Sequence, residues 1–231
     1  MTEHETTALV LLSGGQDSTT CLAWALDRFK KVEALGFNYG QRHSIELTCA
    51  EQVAMAAGVP FEIVNVPGLG GSSLTDHDAE VNADGGMGGL PSTFTPGRNA
   101  VFLSIAAGIA VRRGIHDIVT GICQTDYSGY PDCREDFAQA MEISLSLALN
   151  CRLDIHTPLM HMTKAETVGL AVELDALHLL GRSHTCYHGQ RPACGKCPAC
   201  QLRVKGFDEY GIDDPIQYAS NHDNVVPIGR V

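Results

Sequence analysis

Two stretches of this chain bring reactive residue types together at spacings that imply chemistry. They are Leu12-Ser13-Gly14-Gly15-Gln16-Asp17-Ser18-Thr19-Thr20-Cys21-Leu22 and the four cysteines Cys186, Cys194, Cys197 and Cys200. In the first, Gly14 and Gly15 allow positive φ and a close approach of backbone to ligand. The helix expected to follow offers N–H groups without intrahelical partners at the positive end of its dipole. Ser13 and Ser18 add hydroxyl donors, so the stretch is built for an anion, phosphate above all. Asp17 is the odd member. A carboxylate repels phosphate unless a cation lies between them, which implies Mg²⁺ bridging to a nucleotide. A plain Gly-Gly turn with Ser18 capping a helix is the alternative, and the full string after an apolar strand argues against it. No lysine follows a second spaced glycine, so a P-loop kinase or GTPase is disfavoured.

The cysteines follow the pattern Cys-x7-Cys-x2-Cys-x2-Cys, with Gly189, Pro192, Gly195 and Pro198 to turn the chain between them. Four thiolates so spaced can converge on one tetrahedral Zn²⁺, a closed and therefore structural site. Iron–sulfur ligation is the main rival. His184 and His188 flank the set and are expected beside it or on the surface. The chain holds nine cysteines, an odd number that excludes a complete intramolecular disulfide framework. Cys21, Cys49, Cys123 and Cys151 fall in apolar elements and are expected to fill the core. Cys133 differs, because it lies in Thr125-Asp126-Tyr127-Ser128-Gly129-Tyr130-Pro131-Asp132-Cys133-Arg134, where it serves either as a nucleophile or as a lining residue. Tyr127 and Tyr130 with Asp132 and Arg134 suit a flat, polar heterocycle. Three further strings supply cations: Arg42 in Tyr39-Gly40-Gln41-Arg42-His43, Arg98 in Thr95-Pro96-Gly97-Arg98-Asn99, and Lys164 after Thr157-Pro158-Leu159.

The elements that must position these groups alternate in type. Ala8 to Leu12, Val32 to Phe37, Pro60 to Val66, Asp117 to Ile122 and Leu153 to His156 read as strands. Thr19 to Phe29, Ser44 to Ala57, Asn99 to Arg113 and Glu135 to Leu149 read as helices, the last from apolar Phe137, Met141, Leu145 and Leu149. Thr163-Lys164-Ala165-Glu166 fits a capping box for a helix to about Leu174. Asn99 to Arg113 carries Ala and Gly expected to pack on the sheet. Such alternation implies βαβ units, a parallel sheet with helices on both faces, and ligands at the strands' carboxyl ends. The glycine-rich run from Pro67 to Gly97 breaks the pattern and reads as a long loop or lid, and the tail from Asp213 as polar loop.

At 231 residues and 44% hydrophobic content, the chain is long enough for one well-cored domain with a small appendage. Its net charge of -11 disfavours phosphate backbones and anionic membranes as partners. The acidic start Met1-Thr2-Glu3-His4-Glu5 lacks a signal-peptide pattern, and no apolar run nears about eighteen residues. The expectation is a cytoplasmic protein.

Ser-Gly-Gly-x-Asp-Ser resembles the PP-loop of the ATP pyrophosphatases, which bind pyrophosphate there and transfer AMP to a substrate oxygen. Together, the full loop, Tyr-Gly-Gln-Arg-His, Pro-Gly-Arg-Asn, Thr-Asp-Tyr-Ser-Gly-Tyr-Pro-Asp-Cys-Arg and the four-cysteine set resemble the 7-cyano-7-deazaguanine synthase family from about Ala8 to Tyr210. Only Asp84 to Gly89 looks longer than that family suggests. The resemblance implies a Rossmann-like fold of the adenine nucleotide alpha hydrolase type. It implies a PP-loop ATP-binding domain over residues 7–180 and a C-terminal cysteine region over 181–231, packed as one unit. The implied activity makes the nitrile precursor of queuosine from 7-carboxy-7-deazaguanine, ammonia and ATP. It implies one structural zinc on Cys186, Cys194, Cys197 and Cys200, Mg²⁺ with the ATP, and a homodimer with no direct nucleic-acid partner. Carried onto this chain, Ser13, Asp17, Ser18 and Lys164 are catalytic. Leu12, Ser13, Gly14, Gly15, Gln16, Asp17, Ser18, Thr19, Thr20, Cys21, Leu22 and Arg98 hold the nucleotide. Gln41, Arg42, His43, Tyr127, Tyr130, Asp132, Cys133 and Arg134 hold the deazapurine. A tRNA-thiolating PP-loop enzyme and a non-catalytic nucleotide-binding module are the rivals. The first needs a basic RNA face, which the charge opposes; the second would bind ATP without turnover.

Overall fold

The computed structural model describes residues 7–41, 45–76, 78, 89–125 and 129–219. Five strands form one parallel sheet, β1 (Thr7–Leu11), β2 (Lys31–Asn38), β3 (Phe61–Asn65), β4 (Asp117–Val119) and β5 (Asp154–His156), in the order β3-β2-β1-β4-β5. Parallel neighbours need a crossover, and crossovers are right-handed. A chain that winds outward from β1 to β3 and then returns to β4 must therefore put its helices on opposite faces of the sheet.

The core records that split residue by residue. Ala8, Val10 and Leu12 point toward α1 (Gln16–Arg28), α2 (Ile45–Ala57) and α5 (Lys164–Glu173), with α6 (Leu177–Leu180) and α7 (Pro198–Tyr210) behind them. Leu9, one residue out of phase, faces α3 (Arg98–Arg112) and α4 (Glu135–Leu149). Strand side chains alternate between faces, so one five-residue strand serves both layers. Phe137, Met141, Leu145 and Leu149 pack on the second layer as their helical spacing predicts, and α4 begins and ends where the sequence places it.

Several elements differ from expectation. Helix α1 starts at Gln16 rather than Thr19, because Gly15 takes the N-cap position and the loop runs directly into the helix. Leu103, Ala106, Ala107 and Ala110 of α3 bury against the sheet, but Gly108 lies outside with open space around it. Helices α6 and α7 and a 3-10 turn at Pro131–Cys133 were not foreseen. The segment 67–97 is described only in part. There Ser72 shares a hydrogen bond with Thr95 (2.7 Å) and Ser73 N–H donates to Ser92 O (2.8 Å), so its two ends are tied together. The expectation about Asp84 to Gly89 falls outside the described residues except for Gly89. The tail from Asp213 is loop as expected as far as Ala219, where the described residues end, and it is tied down, since Asp214 accepts two charged hydrogen bonds from the buried Arg203 and one from Tyr218.

Candidate active site

The strand order reverses between β1 and β4, which opens a crevice at their carboxyl ends, the usual ligand position of such sheets. A cavity of about 310 Å³ occupies it. Its floor is the loop after β1. Gly14 has φ +86, and a Cβ there would lie 2.3 Å from Glu46 O, so only glycine lets α2 approach the loop this closely. Gly121, just after β4, does the same from the other side, where a Cβ would meet Ser18 N at 3.1 Å. The loop is braced internally: Ser13 N–H donates to Ser18 Oγ (3.2 Å), and Ser18 Oγ donates to Gly15 O (3.1 Å). Helix α1 opens on Gly15 without a side-chain cap, so its first amides are available to an anion.

Lys164 begins α5, where Thr163 and Glu166 form the expected capping box. Its Nζ lies 2.6 Å from Asp17 Oδ2. Helix α7 holds it in place, because a Cβ on Gly206 would come within 2.7 Å of Lys164 Cβ. The second carboxylate oxygen, Asp17 Oδ1, is buried without a hydrogen-bond partner. A buried carboxylate oxygen left in that state fits a hard cation such as Mg²⁺, which takes oxygen ligands. Both amide atoms of Gln16, 3% exposed, likewise lack partners.

The opposite wall carries Tyr39, Glu46, Arg98, Asn99, Tyr130 and Cys133. Arg98 donates to the Tyr39 hydroxyl; burial works against the guanidinium charge, but Tyr39, Cys133 and Asp132 together raise the Arg98 pKa. Burial raises the Tyr39 and Tyr130 hydroxyls. Tyr130 bonds to Thr93 and to Tyr187. Asp132 turns away from the cavity and accepts from Asn99 N–H (3.1 Å) at the start of α3, while Asn99 Nδ2 reaches Cys133 Sγ at 3.4 Å. Gln41 lines the cavity, but its amide closes the end of β2, accepting from Tyr39 N–H (2.9 Å) and donating to Phe37 O (3.1 Å). Arg134 is exposed and off the wall.

Not every expected ligand residue reaches the cavity. Thr19 and Thr20 turn their hydroxyls to Gly15 O and Gln16 O, and Cys21 and Leu22 sit in the core. Arg42, His43, Asp126 and Tyr127 lie outside the described residues. Conversely, Glu46, Gly121 and Gly206 were missed, for each gains meaning only from a neighbour distant in sequence. His184, expected beside the cysteines or on the surface, is buried beside them: its backbone N–H donates to Gly14 O (2.7 Å) and it lines the cavity.

The cysteine set begins two residues later. The Sγ atoms of Cys186, Cys194, Cys197 and Cys200 lie within 4.8 Å of one another and all four residues are buried. Cys194 and Cys200 are 3.9 Å apart, close to the about 3.8 Å separation that four tetrahedral metal–thiolate bonds of about 2.3 Å require. Backbone N–H groups of Lys196 and Cys197 point at Cys194 Sγ (3.4 and 3.3 Å). Hydrogen bonds from the Cys200 thiol, against the effect of burial, hold the Cys197 thiol well below its ordinary value. Burial pushes the Cys194 thiol up, and the hydrogen bond to Cys197 together with burial does the same to Cys200; it is the convergence of four buried Sγ atoms that fits a metal ion. Arg203, 1% exposed, joins α7 to Ser183 (2.7 Å) and Asp214 and so fixes this region to the cavity wall.

Comparison with known proteins agrees with this arrangement. The family model of queuosine biosynthesis protein QueC matches residues 7–211. The chain is 53% identical over 217 residues to a protein of Chromobacterium violaceum named 7-cyano-7-deazaguanine synthase, covering 90% of this chain and 92% of that one. A relative of the same name from Laribacter hongkongensis is 53% identical over 215 residues, covering 90% and 93%. One from a Bradyrhizobium species is 49% identical over 232 residues, covering 91% and 98%. The chain belongs to the QueC family of queuosine biosynthesis proteins.

Proposed function

We propose that this protein converts 7-carboxy-7-deazaguanine, ammonia and ATP to 7-cyano-7-deazaguanine through adenylated and amide intermediates. The observation that carries this is one cavity walled by the glycine loop, the Asp17–Lys164 pair, and Arg98 with Tyr130 and Cys133. The substrate carboxylate attacks the α-phosphorus of ATP, and pyrophosphate departs into the cradle of Ser13, Ser18 and the first amides of α1. Lys164 and Arg98 offset the charge that gathers there. Mg²⁺ on Asp17 would supply further neutralisation of the phosphates. Ammonia then displaces AMP to give the amide, and a second adenylation on the amide oxygen followed by elimination gives the nitrile. Nucleophile, electrophile and leaving group all come from the substrates, so the protein chiefly positions and neutralises them. Tyr130 and Cys133 are assigned to the deazapurine from their place on the cavity wall, and Gln41, Arg42, His43, Tyr127, Asp132 and Arg134 from the family resemblance. Incubation of the purified chain with the acid, ammonium and Mg·ATP tests the reading by the appearance of the nitrile.

The metal is assigned as one structural zinc, supported by the closed, four-thiol donor set. The cysteine region, residues 181–231, acts as one unit with the domain of residues 7–180; the His184–Gly14 hydrogen bond and the Gly206–Lys164 approach support this. No helix among the described residues is long and apolar enough to cross a membrane. The nine cysteines, none of them in a disulfide, suit the reducing cytoplasm. A homodimer is supported by the outer face of α4. There Ile143 and Leu147 are 61% and 77% exposed, with exposed small Ala140, Ser144 and Ala148 on the same helical face.

A further inference from the structure

The reaction proposed above releases protons, and at neutral pH its nitrogen source is ammonium, which has no lone pair to attack with. Some group must take a proton from it inside the cavity. Two carboxylates lie on the described cavity wall, Asp17 and Glu46. Asp17 is held by Lys164 at 2.6 Å and faces the phosphate cradle. Glu46 stands on the first turn of α2, with its backbone against Gly14 and its carboxyl facing Arg98 at the start of α3, Tyr39 at the end of β2 and Cys49 one turn on. It is thus beside the loop but apart from the Asp17–Lys164 pair, on the wall shared with Tyr130 and Cys133.

We infer that Glu46 binds the ammonium ion and accepts its proton during amide formation. The inference rests on the adenylation reading above. In the step, one N–H bond of ammonium breaks and its proton passes to the Glu46 carboxylate. The freed lone pair forms the C–N bond to the acyl carbon, the acyl C–O bond to AMP breaks, and AMP leaves with that electron pair. The tetrahedral nitrogen sheds its second proton to solvent, and the Glu46 acid then releases its own. Burial, opposed by Arg98, lifts this carboxyl to about 7, where a base is half available at neutral pH and still able to hold a proton.

The test separates the two halves of the reaction. In Glu46→Gln, exchange of labelled pyrophosphate into ATP, dependent on the deazapurine acid, should stay within about threefold of the parent, while amide formation from ammonium near neutral pH should fall on the order of a hundredfold or more. Hydroxylamine is already neutral there, so the variant should form the hydroxamate at close to the parent rate. The ammonium defect should shrink toward about pH 9 as free ammonia becomes plentiful, and Glu46→Asp, which keeps a proton acceptor, should retain most of the rate. If hydroxylamine and ammonium fail equally, or exchange falls with amide formation, Glu46 reads the substrate or supports the fold and the inference is overturned. An unchanged rate with ammonium overturns it as well. Absence of acid-dependent exchange in the parent protein would instead remove the adenylation reading itself.

Discussion

Lys164 Nζ and Asp17 Oδ2 lie 2.6 Å apart, joining the first residue of α5 to the first turn of α1 across 147 positions of sequence. The pair sets the charge at the mouth of the loop, and both partners are largely shielded from water, so removing either leaves an uncompensated charge. Asp17→Asn should cut turnover by orders of magnitude, and Ser13→Ala on the order of ten- to a thousandfold, as for a lost anion-stabilising donor. Gly206→Ala tests the positioning of Lys164 from a distance, because its methyl would press on Lys164 Cβ. It should lower turnover although Gly206 touches no ligand. Steady-state kinetics with circular dichroism to confirm folding would check all three, and near-normal turnover of Asp17→Asn would displace the nucleotide from this loop.

The cysteine site should hold about one zinc per chain by elemental analysis. Strong chelation or Cys197→Ser should destabilise the region from Cys186 to Cys200. Because His184 N–H is bound to Gly14 O and Tyr187 to Tyr130, the same treatment should also weaken ATP binding. Iron with sulfide, or intact protein without metal, would contradict the assignment.

Burial of Glu46 has a second consequence, for stability. Its folded-state value, about 7, lies above the ordinary 4.5. A raised value favours folding at pH below the unfolded one, and that contribution disappears as pH climbs through about 7. Glu46→Gln removes the titration, so it should gain stability relative to the parent between about pH 5 and pH 8, by at most on the order of 3 kcal/mol. Urea unfolding at the two pH values measures this, and an equal difference at both would mean that the carboxyl is not held in a buried state.

Replacing Leu147 by Glu places a charge at the centre of the exposed apolar face of α4. Sedimentation should show a dimer for the parent and a monomer for Leu147→Glu, with little change in melting temperature. A dimer that survives the substitution uses another face.

The parts of the fold that were legible in the sequence depend on local signals. Period 3.6 in Phe137, Met141, Leu145 and Leu149, and the Thr163–Glu166 capping box, are complete within a few residues, and both elements form as read. Helix α7 was hidden because Cys197, Pro198 and Cys200 announce a metal loop, while Gly206 reads as a helix breaker. In the structure Pro198 occupies the first turn, where it is tolerated, and Gly206 is the contact point with α5. The loop and the cysteine set were visible as strings, because their ligands are neighbours in sequence. Glu46 was not, since a glutamate in the first turn of a helix is ordinary there. Its role follows only from the approach of α2 to Gly14.

The central claim, that this chain activates a carboxyl oxygen twice with ATP, is tested most directly by counting nucleotides. Acid to amide to nitrile removes two oxygens, neither of which leaves without activation, so each removal needs one ATP. A loop that binds pyrophosphate predicts AMP as the product each time. With 7-carboxy-7-deazaguanine, ammonium and Mg·ATP, the account predicts two ATP consumed and two AMP formed per nitrile, with a transient amide. It also predicts that the synthetic amide yields nitrile with one ATP and no ammonium. Rejection of the amide, ADP as the direct product, or inertness toward the deazapurine acid would contradict it.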